Sequence, residues 1–306
     1  MGEVNLQVKL GRLVLQNPVM VASGTFGYGE EYTQLVDLNQ LGGIVVKGLS
    51  LKPKVGNPPP RLVEVPCGLI NAIGLENIGV ERFIKEKLPF LKQFKAKIIV
   101  NIFGYSPEEY AQLAEILSPT GIDAIEVNIS CPNIKEGGRL FGTDPQTAAL
   151  ITKSVCEHTH LPVFVKLSPQ VTDIVAIAKA VMEAGADGVS MINTIPAMAV
   201  DIHTRRPKLG NVTGGLSGPC LKPIALKLVW EVVKALDIPV IGIGGITCAE
   251  DALEFLITGA KAIQIGTANF VNPQTAIEVI AGIRHYLEDC QLKDIHELIG
   301  SLELSF

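Results

Sequence analysis

Cys131 carries the clearest chemical signal in this sequence. It lies just past an apolar stretch, 124–128, in the run Glu126-Val127-Asn128-Ile129-Ser130-Cys131-Pro132-Asn133. A strand ending there would hold its last side chains firmly. The following stretch, 134–144, carries Gly137, Gly138 and Gly142 and reads as a flexible loop able to cover a site. A thiol between the two suggests a reactive group beneath a lid. The plainer reading is a small buried hydrophobe, as free cysteine often is. Asn128, Ser130 and Asn133 crowd Cys131 with polar groups and favour the first.

Further polar residues stand at the ends of other apolar stretches: Ser23, Lys47, Asn101, Asn128, Lys166, Asn193, Gly244-Gly245 and Gly266-Thr267. Any one of them could be a solvated loop residue. Two lysines and three asparagines in corresponding places are harder to explain by solubility, and lysines facing inward would call for an anionic partner. Ile241-Gly242-Ile243-Gly244-Gly245-Ile246 leads into a helix start at Thr247, and Ile265-Gly266-Thr267 repeats the pattern. Glycines let backbone N–H groups approach an anion, and a helix N-terminus favours negative charge. The dinucleotide fingerprint is absent, because GIGGI lacks the GxGxxG spacing. The set describes a phosphate-bearing ligand with amide and cationic neighbours, and flavin mononucleotide fits it. Lys166 is placed to stabilise a reduced, anionic flavin. A Schiff-base lysine, as in an aldolase, and a non-catalytic phosphate-binding barrel are the rivals. The first leaves Cys131 and the asparagines without roles, and the second leaves the lid unexplained.

Positioning these groups requires a parallel strand frame. Strand candidates are 19–22, 43–47, 97–102, 124–128, 162–167, 188–192, 240–243 and 262–265, nearly continuous in apolar character, as parallel strands covered on both faces are. Eight strands alternating with helical segments predict an α/β fold, a (β/α)₈ TIM barrel, in preference to an open doubly wound sheet. Helix starts are marked by Ser106-Pro107-Glu108-Glu109, Thr143-Asp144-Pro145, Thr172-Asp173 and a capping box at Thr247-Cys248-Ala249-Glu250; Gly185 and Gly259 mark two helix ends. A hairpin at 6–15 around Gly11 precedes the barrel. Insertions at about 48–96 and 194–217 leave from strand C-terminal ends. The first contains a possible hairpin around 61–67 and a helix from about Val80. Both read as a cap over the active face of one 306-residue domain.

Composition narrows the rest. Hydrophobic content is 47%, charged content 19% and net charge −5, so a large core forms and nucleic acid or an anionic membrane is a poor partner. The first residues lack the apolar core of a signal peptide, which predicts a cytoplasmic protein. Cys67, Cys131, Cys156, Cys220, Cys248 and Cys290 include no CxxC and no metal-ligand spacing, so no metal site is expected. His158 and His160 read as surface residues at a helix end.

NAIGLENIG (71–79), EVNISCPN (126–133), VKLSP (165–169), INT (192–194), GGLSGP (214–219), IGIGGI (241–246) and IGT (265–267) together resemble the dihydroorotate dehydrogenases, in order and over nearly the whole chain. Cysteine in SCPN resembles class 1, and NAIGLENIGVERF with GGRLFG resembles subclass 1B, the catalytic subunit of the NAD-linked enzyme. The fumarate-linked class 1A homodimer and the barrel of dihydropyrimidine dehydrogenase are the near alternatives. The resemblance implies oxidation of dihydroorotate to orotate in pyrimidine biosynthesis. It implies flavin contacts at Ser23, Lys47, Gly48, Asn101, Asn128, Lys166, Ile192, Gly218, Gly244, Gly245, Gly266 and Thr267. It implies that Lys47, Asn71, Ala72, Ile73, Gly74, Leu75, Asn128, Asn193 and Thr194 hold the pyrimidine, and that Cys131 is the catalytic base. FAD and a [2Fe–2S] cluster would sit on a partner subunit that passes electrons to NAD, around a homodimer core in a heterotetramer.

Overall fold

A computed structural model describes residues 4–129, 135–136 and 139–304. Cys131, Ser130, Asn133, Gly137 and Gly138 lie outside the described residues; of the expected lid, 135–136 and 139–144 are described.

Eight parallel strands close a barrel: β1 (Val19–Val21), β2 (Gly43–Leu49), β3 (Lys97–Ile102), β4 (Ala124–Asn128), β5 (Val163–Lys166), β6 (Gly188–Met191), β7 (Val240–Ile243) and β8 (Ala262–Ile265). Each pairs with its neighbours in sequence, and β8 pairs back onto β1 with Ile263 opposite Val19. Side chains on both faces of these strands are almost all buried, one face filling the barrel and the other meeting the helices. The expected TIM barrel is therefore present. β2 runs two residues further than its apolar pattern suggests. Its register against β3 shifts between Val46 and Leu49, so the strand passes Lys47-Gly48 and resumes with Leu49 opposite Ile102.

The helices begin where short polar residues satisfy their free N–H groups. Ser106, Asp144 and Asp173 cap α1 (Pro107–Leu117), α2 (Pro145–Glu157) and α3 (Ile174–Glu183), each side chain accepting from the backbone N–H three residues on. Downstream lie α4 (Lys222–Ala235), α5 (Ala249–Thr258) and α6 (Thr275–Asp289). α5 departs from the expected capping box. Cys248 is its first flanking residue and makes no side-chain cap, while Asp251, not Glu250, reaches back to Thr247. One residue of slip follows because Asp251 is also held by Lys222 of α4, a tertiary contact. The helix expected from Val80 is interrupted. Val80–Arg82 gives way to a π turn at Phe83–Lys87 before Leu88–Leu91 resumes, where Pro89 has no N–H to donate.

The N-terminal hairpin pairs Val8–Leu10 with Leu13–Leu15 around Gly11. The two insertions meet. Leu62–Val65 and Gly68–Asn71 form the hairpin expected in the first. Gly68–Asn71 then pairs with Thr213–Ser217 of the second, which pairs with Ile195–Met198. This four-stranded antiparallel sheet roofs the C-terminal face of the barrel. Gly215 is required in it, since a Cβ there would collide with Thr194 Oγ1.

Candidate active site

Between the roof and the strand ends lies a cavity of about 740 Å³. All the described residues expected at the site line it: Ser23, Lys47, Gly48, Asn101, Asn128, Lys166, Ile192, Gly218, Gly244, Gly245, Gly266 and Thr267, with Asn71 to Leu75, Asn193 and Thr194. Its floor comes from the barrel and its wall from the roof, through Leu62, Leu69, Pro196 and Thr213.

The floor is polar. Asn101 and Lys166 are buried on the β3 and β5 ends. Lys166 Nζ donates to Ser23 Oγ at 3.3 Å and lies 3.8 Å from Glu126. The amides above them are held in turn. Asn193 Nδ2 reaches Asn128 Oδ1 at 3.4 Å, and Asn193 Oδ1 accepts from Thr194 N at 2.8 Å. Tyr110 Oη donates to the Asn128 carbonyl at 2.7 Å, and Asn71 Nδ2 donates to the Gly215 carbonyl at 3.1 Å. The Asn71–Leu75 segment is braced from outside. Arg61 pairs with Glu76 and holds Asn57 and Val55 carbonyls, and buried Asn77 joins Ser50, Leu75 and Gly79.

The glycine loop after β7 is pinned by charge. Gly245 has φ +72°, and a Cβ there would come 2.7 Å from Lys222 N, so glycine is needed. Thr247 N and Oγ1 donate to one oxygen of Asp251 at 2.8 and 2.7 Å; Lys222 Nζ donates to the other at 2.7 Å and to Glu254 at 2.7 Å. Burial works to raise the Asp251 carboxyl, but the hydrogen bonds from Lys222 and Thr247 outweigh it and hold it down to about 2. The same bonds raise the Lys222 ammonium. A carboxyl depressed on folding contributes stability that is complete above its unfolded value near 4 and is lost as pH falls toward 2. Asp251→Asn is therefore expected to destabilise the protein by about 1–2 kcal/mol at pH 7, allowing for solvent screening, and by clearly less at pH 3. Urea unfolding at the two pH values checks this, and an equal loss at both would contradict it. After β8, Thr267 Oγ1 donates to Ser217 Oγ at 2.7 Å, tying the second glycine loop to the roof.

Two features escaped the sequence reading. Glu126, Ser190 and Gln264 form a buried polar layer under the floor; the available signal was a polar residue inside each of three apolar strands. Ser217 and Thr213 reach the cavity from the roof. The remaining cysteines offer no rival thiolate among the groups whose acidity shifts. Burial pushes Cys156 up to about 11, and raises Cys220 and Cys248. His158 and His160 are exposed and bond to Ser154 and Ser118, and no metal-ligating cluster occurs among the described residues.

The chain is thus a (β/α)₈ barrel whose polar strand ends and two glycine loops face one roofed cavity at the C-terminal side, where enzymes of this fold work. The family model for dihydroorotate dehydrogenase matches residues 5–287. A protein of Thermodesulfovibrio yellowstonii named dihydroorotate dehydrogenase B (NAD(+)), catalytic subunit, is 58% identical over 97% of this chain and 99% of its own length. Proteins of the same name from Desulforamulus reducens and a Thermoanaerobacter species are 57% and 56% identical, covering 99% and 98% of this chain and 100% of their own length. The chain belongs to the dihydroorotate dehydrogenase family.

Proposed function

We propose that this chain oxidises dihydroorotate to orotate with FMN held in the barrel mouth, as the catalytic subunit of an NAD-linked enzyme. The observation that carries the reading is the convergence of both glycine loops, two lysines and the amides of Asn101, Asn128 and Asn193 on one cavity. Its size falls in the usual range for small-molecule sites. The donor set suits FMN: Gly244, Gly245, Gly266 and Thr267 would hold a phosphate, and Lys166 and Lys47 would balance negative charge on the ring system. Ser23, Gly48, Asn101, Asn128, Ile192 and Gly218 complete that cradle.

The pyrimidine would lie against Asn71, Ala72, Ile73, Gly74 and Leu75, with Asn128, Asn193 and Thr194 pairing with its amides and Lys47 with its carboxylate. The floor side chains are already tied to one another, so the amides are preorganised. Cys131 would act as thiolate and take the proton from C5. FMN, when bound, supplies the acceptor for the hydride leaving C6. The roof would exclude water from the transfer. The relatives' shared name, a catalytic subunit of an NAD(+) enzyme, supports a partner. We assign FAD and a [2Fe–2S] cluster to that partner, around a homodimer of this chain in a heterotetramer. We place its work in the cytoplasm; among the described residues no helix is long and apolar enough to cross a membrane.

Denaturing the purified protein is expected to release FMN at about one per chain, as one barrel mouth implies. Dihydroorotate added without oxygen should bleach the bound flavin. FAD alone, or no flavin after reconstitution, would overturn the reading.

A further inference from the structure

Glu126 sits in the middle of β4 with its side chain in the barrel and no exposed surface. It does not line the cavity. Its Oε1 accepts from Asn101 Nδ2 at 2.7 Å, and its Oε2 accepts from Ser190 Oγ at 2.7 Å and Gln264 Nε2 at 2.9 Å. Lys166 Nζ lies 3.8 Å from Oε1. Side chains from β3, β5, β6 and β8 thus converge on one carboxylate of β4. Removing an acid from water costs several kcal/mol unless donors and a counter-charge replace the solvent; here three donors and an ammonium do so. The core of a TIM barrel is ordinarily filled by branched apolar residues, and the fold itself has no need of an acid at this place. What the carboxylate reaches are two of the buried polar side chains of the floor, Asn101 and Lys166.

We propose that Glu126 is a positioning residue that sets the charge of the site from below. It fixes the Asn101 amide and the Lys166 ammonium, and it offsets part of the attraction that Lys166 exerts on a negatively charged reduced flavin. It thereby lowers the flavin's potential and eases passage of electrons onward. This rests on the reading of the mouth as a flavin site.

The test is the two-electron midpoint potential of the flavin bound to the whole chain, read spectroscopically against a reference dye. Glu126→Gln keeps the shape and removes the charge. At a fixed poise it is expected to raise the ratio of reduced to oxidised flavin about tenfold, a rise of about 30 mV. Ser190→Ala keeps the charge and removes a hydroxyl dipole that screens it, so the ratio is expected to fall by about two- to threefold. Opposite signs are the signature of charge, because a merely structural role would move neither potential or both alike. Unchanged potentials, or shifts in the same direction, overturn the proposal while leaving the flavin site intact. If Glu126→Gln is not recovered folded, Ser190→Ala decides alone, and an unchanged or raised potential overturns it. Wild-type protein without flavin overturns the reading of the mouth, and this role with it.

Discussion

Cys131→Ser is expected to slow reduction of the bound flavin by dihydroorotate by about 10²–10⁴-fold at neutral pH, the usual contribution of a positioned base. A serine hydroxyl is far harder to deprotonate than a thiol of pKa about 8.5. The two glycine loops are untouched, so FMN content should match wild type. Wild-type reduction should speed up as pH rises and the thiol ionises, then level off, whereas the serine variant should stay slow through the same range. Stopped-flow bleaching of the flavin at several pH values makes the measurement. Near-normal reduction by the variant would remove Cys131 from the mechanism. The other five cysteines serve as the control. Cys156 is half-buried with its Sγ 3.4 Å from the Gly185 carbonyl, before β6 and away from the mouth, and Cys67, Cys248 and Cys290 are exposed. Changed to alanine one at a time, none should alter the rate of flavin reduction, although Cys156→Ala should cost some stability.

The second large effect concerns where the electrons go. The isolated chain is expected to reduce artificial dyes with dihydroorotate and to reduce NAD poorly; adding the partner subunit should restore NAD reduction by orders of magnitude. On the proposed reading, FMN with substrate would fill the cavity that the described residues form at the strand ends. No GxGxxG loop offers a second dinucleotide site. The described cysteines do not cluster as cluster ligands do. On the proposed reading, electrons would leave the flavin through the protein surface toward a redox group on the partner. Steady-state assays with dye, NAD and fumarate, with and without partner, separate the outcomes. NAD turnover by the chain alone at the rate of the complex would dispose of the partner. Efficient use of fumarate would move the chain to the homodimeric subclass and leave the chemistry at Cys131 in place.

Much of the frame was legible because local pattern carries it. β3, β4, β7 and β8 have the bounds that their apolar runs suggest. The caps Ser106, Asp144 and Asp173 were readable because one side chain and one backbone N–H decide each of them. β2 was read short because Lys47-Gly48 breaks its apolar run, and the strand continues by a register shift that no local rule foresees. The cap of α5 slipped by one residue because Asp251, which accepts from Thr247, is also held by tertiary contact with Lys222. The site residues at strand ends were legible as a set, since eight parallel strands must bring their ends together. The Glu126 layer was not, because its partners lie on β3, β5, β6 and β8 and only barrel closure joins them. Roof pairing was likewise hidden. Its strands are short, and nothing near Asn71 announces Gly215.

That roof has a consequence for the order of assembly. Asn71 and Gly215 meet across 144 positions of chain, and between them lie β3, β4, β5 and β6. Closing so long a loop in an unfolded chain carries a heavy entropic penalty, but once the barrel stands its strand ends are already neighbours and the remaining closure is short. The sheet over the mouth is therefore expected to form last on the way to the native state and to open first on the way out. A nascent barrel would present its floor uncovered, so the cofactor can enter from above before the chain closes over it. The same sequence of events gives the finished protein a route for losing flavin without losing its fold.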